Sequence, residues 1–199
     1  MTSMLERAAG PDDVSALAAC LASAFHEDPV WGWWAFPEPK RRAQRLHQFM
    51  GPFVAAGVRF PWVRMTENAE AVVVWLPPGE PEMTSEQERD FERLLPELLG
   101  SRADDVTNLL ERFDEHHPHG EPHYYLSLWG THRDHAGRGV GTRLMHESLA
   151  RIDAERMPAY LESTNPANLR RYEAFDFRPR AQFGPPGGPV ITTMWRDAR

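Results

Sequence analysis

The stretch that most constrains this chain is HYYLSLW, His123 to Trp129, the strongest strand in the sequence, read together with the segment HRDHAGRGVGTRLM, His132 to Met145. Gly137, Gly139 and Gly141 stand at alternate positions there, and Val140, between the last two, begins a stripe that Leu144, Leu149 and Ile152 continue on one helical face. A strand, a glycine turn and a helix in that order offer unpaired N–H groups, the positive end of a helix dipole and backbone free of Cβ atoms. Arg133, Arg138 and Arg143 add local positive charge to a chain whose net charge is −7, so the segment predicts an anion site. Arg138 and Val140 would donate their N–H groups between the glycines. A dinucleotide fingerprint fails because Thr142 occupies the place of its third glycine, and a P-loop fails for want of a lysine. The competing reading is a turn that only joins strand to helix.

The rest of the chain reads as alternating elements. A first strand is expected at Met4 to Ala8, a helix from Gly10-Pro11-Asp12-Asp13 to about Phe25, and a second helix from Lys40 to about Ala55. Strands come next at Val58 to Thr66 and Ala71 to Leu76. Two helices, Thr84 to Leu99 and Ala103 to His116, precede the strong strand, the first with a capping box of Ser85 and Glu88. After the glycine segment the helix runs to about Glu155, then a strand at Ala159 to Glu162, a helix at Pro166 to Phe175, and strands at Phe177 to Phe183 and Val190 to Trp195. This order predicts one α/β domain with a mixed sheet.

At 199 residues, 41% hydrophobic and 26% charged, the chain can bury an ordinary core. The acidic net charge argues against general nucleic-acid binding, and no apolar run has the length of a membrane span. No signal peptide opens the chain, and the one cysteine, Cys20, sits among alanines and leucines, so a reducing cytoplasm is expected. In the histidine run HHPHGEPH, His116 to His123, proline and glycine interrupt any ligand spacing; it is read as a solvated loop, and no metal is expected.

G-R-G-V-G-T-R-L after LSLWG resembles the acetyl-CoA pyrophosphate loop of the GNAT N-acetyltransferase superfamily, with Gly139 and Gly141 in the motif's last two positions and Ala136 where it has Gln or Arg. A second segment, ESTNPANLRRYEAFDF, resembles the superfamily's later motif, with Asp176 where a glycine is usual. Asp tolerates a left-handed helix terminus better than most residues. The early RAAGPDDVSALAACLASAFHEDPVW, the helices of residues 84–116 and YLEST look most like puromycin N-acetyltransferase and its small-molecule relatives.

The resemblance implies a single GNAT-like α/β domain over residues 1–199, with a mixed, mostly antiparallel central sheet flanked by helices and residues 84–116 as a helical insertion before the central strand. It implies an acetyl-CoA-dependent N-acetyltransferase acting on the primary amine of a small molecule, an antibiotic or a metabolite. The alternatives are an acyl-CoA-binding sensor or interaction domain and a peptide or protein N-acetyltransferase. Acetyl-CoA would lie on Leu126, Ser127, Leu128, Trp129, Arg133, Gly137, Arg138, Gly139, Val140, Gly141, Thr142 and Asn168, with the Leu128 N–H on the thioester carbonyl. Tyr172, one turn after Asn168, would be the general acid. Glu162 is the first choice for general base, with His123, His132 or a water relay as alternatives, and a salt-bridged strand-end carboxylate as the competing reading. In the aromatic loop WGWWAFP, Trp34 is expected to face an apolar or aromatic amine, and Asp28, with Glu27, to attract its ammonium. A homodimer is left open.

Overall fold

The computed structural model describes residues 6–199. Among the described residues, seven strands form one sheet in the order β1-β2-β3-β4-β5-β7-β6. They are β1 (Glu6–Ala8), β2 (Val63–Thr66), β3 (Ala71–Leu76), β4 (Tyr124–Thr131), β5 (Ala159–Ser163), β6 (Arg178–Phe183) and β7 (Ile191–Arg196). All neighbours are antiparallel except β4 and β5, which run parallel. This is the expected α/β GNAT-type sheet. Of the expected first strand, residues 4 and 5 lie outside the described residues. The strand expected at Val58 to Thr66 starts only at Val63, because α2 (Pro39–Gly57) runs two residues past its expected end and a turn intervenes.

The apolar pattern of β3, AVVVWL, explains its central place: both of its faces are buried. Val72 and Val74 face a core shared with α1 (Val14–Ala24), α2, α3 (Ser85–Leu99) and α4 (Ala103–His116). Ala71, Val73 and Trp75 face a second core, filled by α5 (Val140–Ala154) and flanked by the short α6 (Leu169–Glu173). The Trp75 indole donates to Ser148 Oγ at 3.0 Å and fixes α5 against the sheet. The α3 cap is shifted by one residue from expectation: Thr84 and Gln87, rather than Ser85 and Glu88, satisfy each other's N–H groups. Cys20 is buried, and burial pushes its thiol up to about 12. Among the described residues no helix is long and apolar enough to cross a membrane.

One irregularity governs the middle of the sheet. Val74 pairs with Leu128 and Trp75 with Leu126, so Ser127 is an extra residue without a partner on β3. Side chains alternate in a strand, so a single extra residue inverts the faces beyond it. Tyr124 and Leu126 accordingly point into the α5 core, but Leu128 points into the α1–α4 core. On the other edge β4 pairs with β5 only through Tyr124, Tyr125 and Leu126. Beyond that point the two strands part.

After α6 the chain turns through Asp176 at φ 68°, with Phe177 N–H donating to Tyr172 O and Asp176 N–H to Glu173 O. That is a Schellman closure, so the left-handed turn anticipated for Asp176 is present. An exposed aspartate in this region carries strain that glycine lacks, so Asp176→Gly is expected to stabilise the fold by about 0.5–1 kcal/mol. A thermal melt at neutral pH that moves down instead of up contradicts this.

Candidate active site

Where β4 and β5 part, a cavity of about 1030 Å³ opens on the α1–α4 side of the sheet. Its floor is sheet: Tyr125, Ser127 and Leu128 from β4, Glu162 from β5. Strand alternation explains this floor, since Ala159 and Leu161 turn into the opposite core and leave Tyr160 and Glu162 on the cavity face. Its wall is aromatic. Phe49 and Phe53 of α2, Phe91 of α3, Phe113 of α4 and Trp31 pack with centroid separations of 5.0 to 5.9 Å.

The Glu162 side chain is 2% exposed, and its Oε1 has no hydrogen-bond partner among the described residues; His117 Nδ1 is 3.9 Å away. Beside it lies a carboxylate not expected from the sequence. Glu82 is held by a hydrogen bond from Ser127 Oγ, and its loop is pinned by Arg59, which donates to the Glu82 carbonyl at 3.1 Å and to the Pro81 carbonyl. Burial, reinforced by the charge of Glu162, pushes the Glu82 carboxyl up to about 7. The same two carboxylates, with burial as the main cause, push the Tyr125 phenol well above its ordinary range. No short motif marks Glu82; its only signal is a carboxylate after the proline-glycine turn that ends β3.

At the open end, Tyr172 and Asn168 line the cavity beside Trp129, whose ring lies 5.5 Å from that of Tyr172. Burial raises the Tyr172 phenol, so it holds its proton throughout the neutral range. The Trp129 Nε1 donor is buried with no partner among the described residues. Next along the chain, Gly137 and Gly139 adopt φ 77° and 75°, and a Cβ on either would meet nothing within 4 Å. Gly139 caps α5 without a side-chain hydrogen bond, and Arg143 N–H donates to Gly139 O, which leaves the N–H groups of Val140, Gly141 and Thr142 free of helical partners. Gly141 differs: a Cβ there would collide with Thr131 Oγ1, so this glycine lets α5 close on β4. Open glycine backbone, first-turn donors and an orphaned indole N–H fit a ligand with phosphate and amide groups.

Other expected residues are placed differently. Leu126 is still paired with β5, so the free edge of β4 begins at Ser127. Arg133 is tied to α1 by its N–H and Nε, both donating to Ser23 Oγ, while Arg138 and Thr142 are exposed at the glycine turn. Trp34 does not line the cavity. Pro29–Ala35 forms a wide π-helical turn that sends Trp31 inward, leaves Trp33 51% exposed and lays Trp34 under the Arg102 guanidinium at 4.4 Å. Asp28 reaches the cavity, but its oxygens accept from Val30 N–H, Trp31 N–H and Thr164 Oγ1, so it caps the turn. His132 caps a short turn away from the cavity, whereas His123 lines it. Among the described residues no three His, Cys, Asp or Glu side chains are grouped to hold a metal ion.

Raised to about 7, the Glu82 carboxyl binds a proton in the folded state that it gives up near 4.5 when unfolded. Its contribution is therefore fully present below pH 4.5 and lost as pH rises through 7. Glu82→Gln, which keeps an acceptor for Ser127, is expected to raise the melting temperature at pH 8 by a few degrees (about 1 kcal/mol or more) and leave it nearly unchanged at pH 5. Equal shifts at both pH values would show that the carboxyl is not so perturbed.

Residues 107–177 match the model of the Acetyltransferase (GNAT) family. Among solved structures, the chain is similar to a histone acetyltransferase HPA2 and related acetyltransferase from Corynebacterium glutamicum, with 21% identity, a TM-score of 0.66, and coverage of 98% of this chain and 96% of that one. It is similar to a Drosophila melanogaster polyamine N-acetyltransferase that catalyses formation of N-acetylagmatine, with 18% identity, a TM-score of 0.57, and coverage of 97% and 99%. A chain of the NatC complex bound to Gag peptide and CoA gives 9% identity, a TM-score of 0.54, and coverage of 98% of both chains. The fold is that of the GNAT acetyltransferases, and the family match over α4 to α6 supports that superfamily for this chain.

Proposed function

We propose that this protein is an acetyl-CoA-dependent N-acetyltransferase whose acceptor is the primary amine of a small molecule with an apolar or aromatic body. The observation that carries this reading is the convergence, where β4 and β5 part, of an unpaired strand edge, the protonated Tyr172 hydroxyl and the buried Glu162 carboxylate, whose Oε1 has no hydrogen-bond partner among the described residues. Acetyl-CoA would supply an acetyl group already activated as a thioester. The glycine turn and the first-turn N–H groups of α5 would hold its phosphates, and the β4 edge from Ser127 onward, Trp129 Nε1 and Asn168 would hold its amide arm. Tyr172 keeps a proton at its hydroxyl for a departing anion.

The cavity would take the amine. Among the described residues, nine acidic side chains and no lysine or arginine line it, so a cation is drawn in while anions are repelled. Glu162 accepts the ammonium proton and frees the nitrogen lone pair, and the aromatic wall takes the apolar body. A binding-only domain has no need to bury Glu162 and Glu82 at the cost of stability, which favours turnover over acyl-CoA sensing. The likeness to puromycin N-acetyltransferase puts puromycin in the first acceptor panel, and the similarity to a polyamine acetyltransferase puts agmatine there.

Titration calorimetry is expected to show near-stoichiometric heat with acetyl-CoA and none with ATP or NAD, and an amine panel should then release thiol. Tyr172→Phe should lower kcat by roughly a hundredfold with acetyl-CoA binding kept, and Glu162→Gln should remove the acidic limb of kcat/KM. Absence of selective acetyl-CoA binding overturns the reading, and an unchanged acidic limb removes Glu162 from it.

A further inference from the structure

Two histidines beside the carboxylates have no role in the transfer step itself. His117 comes just after the end of α4 and His123 just before β4; their Nε2 atoms lie 3.2 Å apart, with ring centroids at 5.0 Å. At that distance one nitrogen carries a hydrogen and the other accepts it. His123 Nδ1 lies 2.6 Å from the Glu121 carbonyl oxygen, which can only accept, so Nδ1 carries the hydrogen of that ring. Burial, helped by His117 and Arg180, holds His123 below the usual imidazole range, so it is neutral and its Nε2 bears a lone pair. The donor is therefore His117 Nε2. A neutral His117 then has its own lone pair on Nδ1, the atom 3.9 Å from the unpartnered Oε1 of Glu162.

We infer that His117 is the proton outlet of this site, taking through Nδ1 the proton that Glu162 removes from the acceptor ammonium and passing it to water. The inference rests on the acetyl-transfer reading. The ammonium loses one proton and keeps the electron pair for the new bond, and Glu162 becomes a carboxylic acid. Transfer to His117 Nδ1 restores the carboxylate and makes His117 an imidazolium; it keeps its Nε2–H toward His123 and returns to neutral by giving the Nδ1 proton to water in the cavity that it lines, at a side chain 26% exposed. The 3.9 Å gap closes with a small side-chain rotation, as active-site hydrogen bonds tighten when substrate binds. The bond to His123 keeps the ring from flipping, so Nδ1 stays toward Glu162.

The surroundings suit an imidazole that charges and discharges. Facing His117 are Glu162 and the Tyr160 ring from β5, the Tyr125 ring from β4 at 4.8 Å, Glu82 from the loop after β3, and His119 and His123 from its own loop. Arg180 of β6 lies 3.8 Å from Glu121, which takes up part of its charge. Both phenols stay protonated, raised chiefly by burial.

The test compares wild type with His117→Ala and His117→Gln, using acetyl-CoA and an accepted amine. Both variants are expected to lose about tenfold or more in kcat at pH 7 with the amine KM within about twofold, and imidazole in the buffer should restore His117→Ala saturably. An unchanged kcat, or a loss that imidazole does not restore in a protein with a wild-type melt, overturns the outlet. Nitrogen NMR of the wild-type imidazoles reads the tautomers without any turnover. Nε2–H on His117 and Nδ1–H on His123 are expected, and the opposite tautomer on His117 overturns the inference. If wild type acetylates no amine, the transfer reading fails, and the tautomers still report on the histidine chain.

Discussion

The rest of the site depends on one unpaired residue. Ser127 is accommodated on β4 without a partner on β3, and the strand beyond it is inverted and bent away from β5. A regular β4 would have carried Leu128 into the α5 core with Tyr124 and Leu126 and continued its pairing with β5. No slot would then exist between the strands. The bulge instead leaves backbone donors and acceptors of the sheet's interior unpaired on one edge, a costly arrangement unless a ligand pairs with them. It also turns Ser127 toward Glu82, so the irregularity that opens the slot fixes one of the carboxylates beside it.

Those carboxylates are a second source of instability. Glu82 and Glu162 sit on an aromatic-walled cavity with no lysine or arginine among its described lining residues. Arg59 is close, but its hydrogen bonds to this loop go to the backbone and not to the Glu82 carboxylate. Two buried arginines elsewhere are served differently: Arg196 forms a two-pronged bond to Asp153 at 2.6 and 2.8 Å, and Arg42 donates to the Phe36, Pro37 and His26 carbonyls. In the proposed reading the cation that balances these carboxylates is the acceptor ammonium.

How much the sequence discloses depends on the range of the interactions involved. The glycine turn, the α5 stripe, β3 and the left-handed Asp176 depend on neighbours within a few residues, and all are legible directly. Trp34 is expected at the cavity and does not line it, while Asp28 does line it but also caps the turn; composition shows an aromatic loop, and the orientation of each side chain depends on a π-helical turn with no short signature. The cavity wall is illegible for a deeper reason. Phe49, Phe53, Phe91 and Phe113 come from three helices and look like ordinary core residues; only the parting of β4 from β5 leaves space in front of them. Glu82 and His117 lie in segments whose composition reads as solvated loop, and tertiary packing alone makes them part of a site.

Backbone and side chains divide the recognition between them, and that division bears on specificity. The glycine turn offers backbone groups and lies on one side of β4, and the cavity offers side chains on the other. Substitutions in the aromatic wall leave the N–H groups of α5 untouched, because α5 packs on the opposite face of the sheet. On the proposed acetyl-transfer reading, the acceptor can therefore change while the donor stays fixed. The two halves meet along Ser127 to Trp129, where Ser127 and Leu128 face the cavity floor and Trp129 packs against Tyr172 at its open end. The proposed chemistry would be confined to that strip, since it is where a group held by the backbone cradle and a group held by the aromatic wall would come within reach of each other.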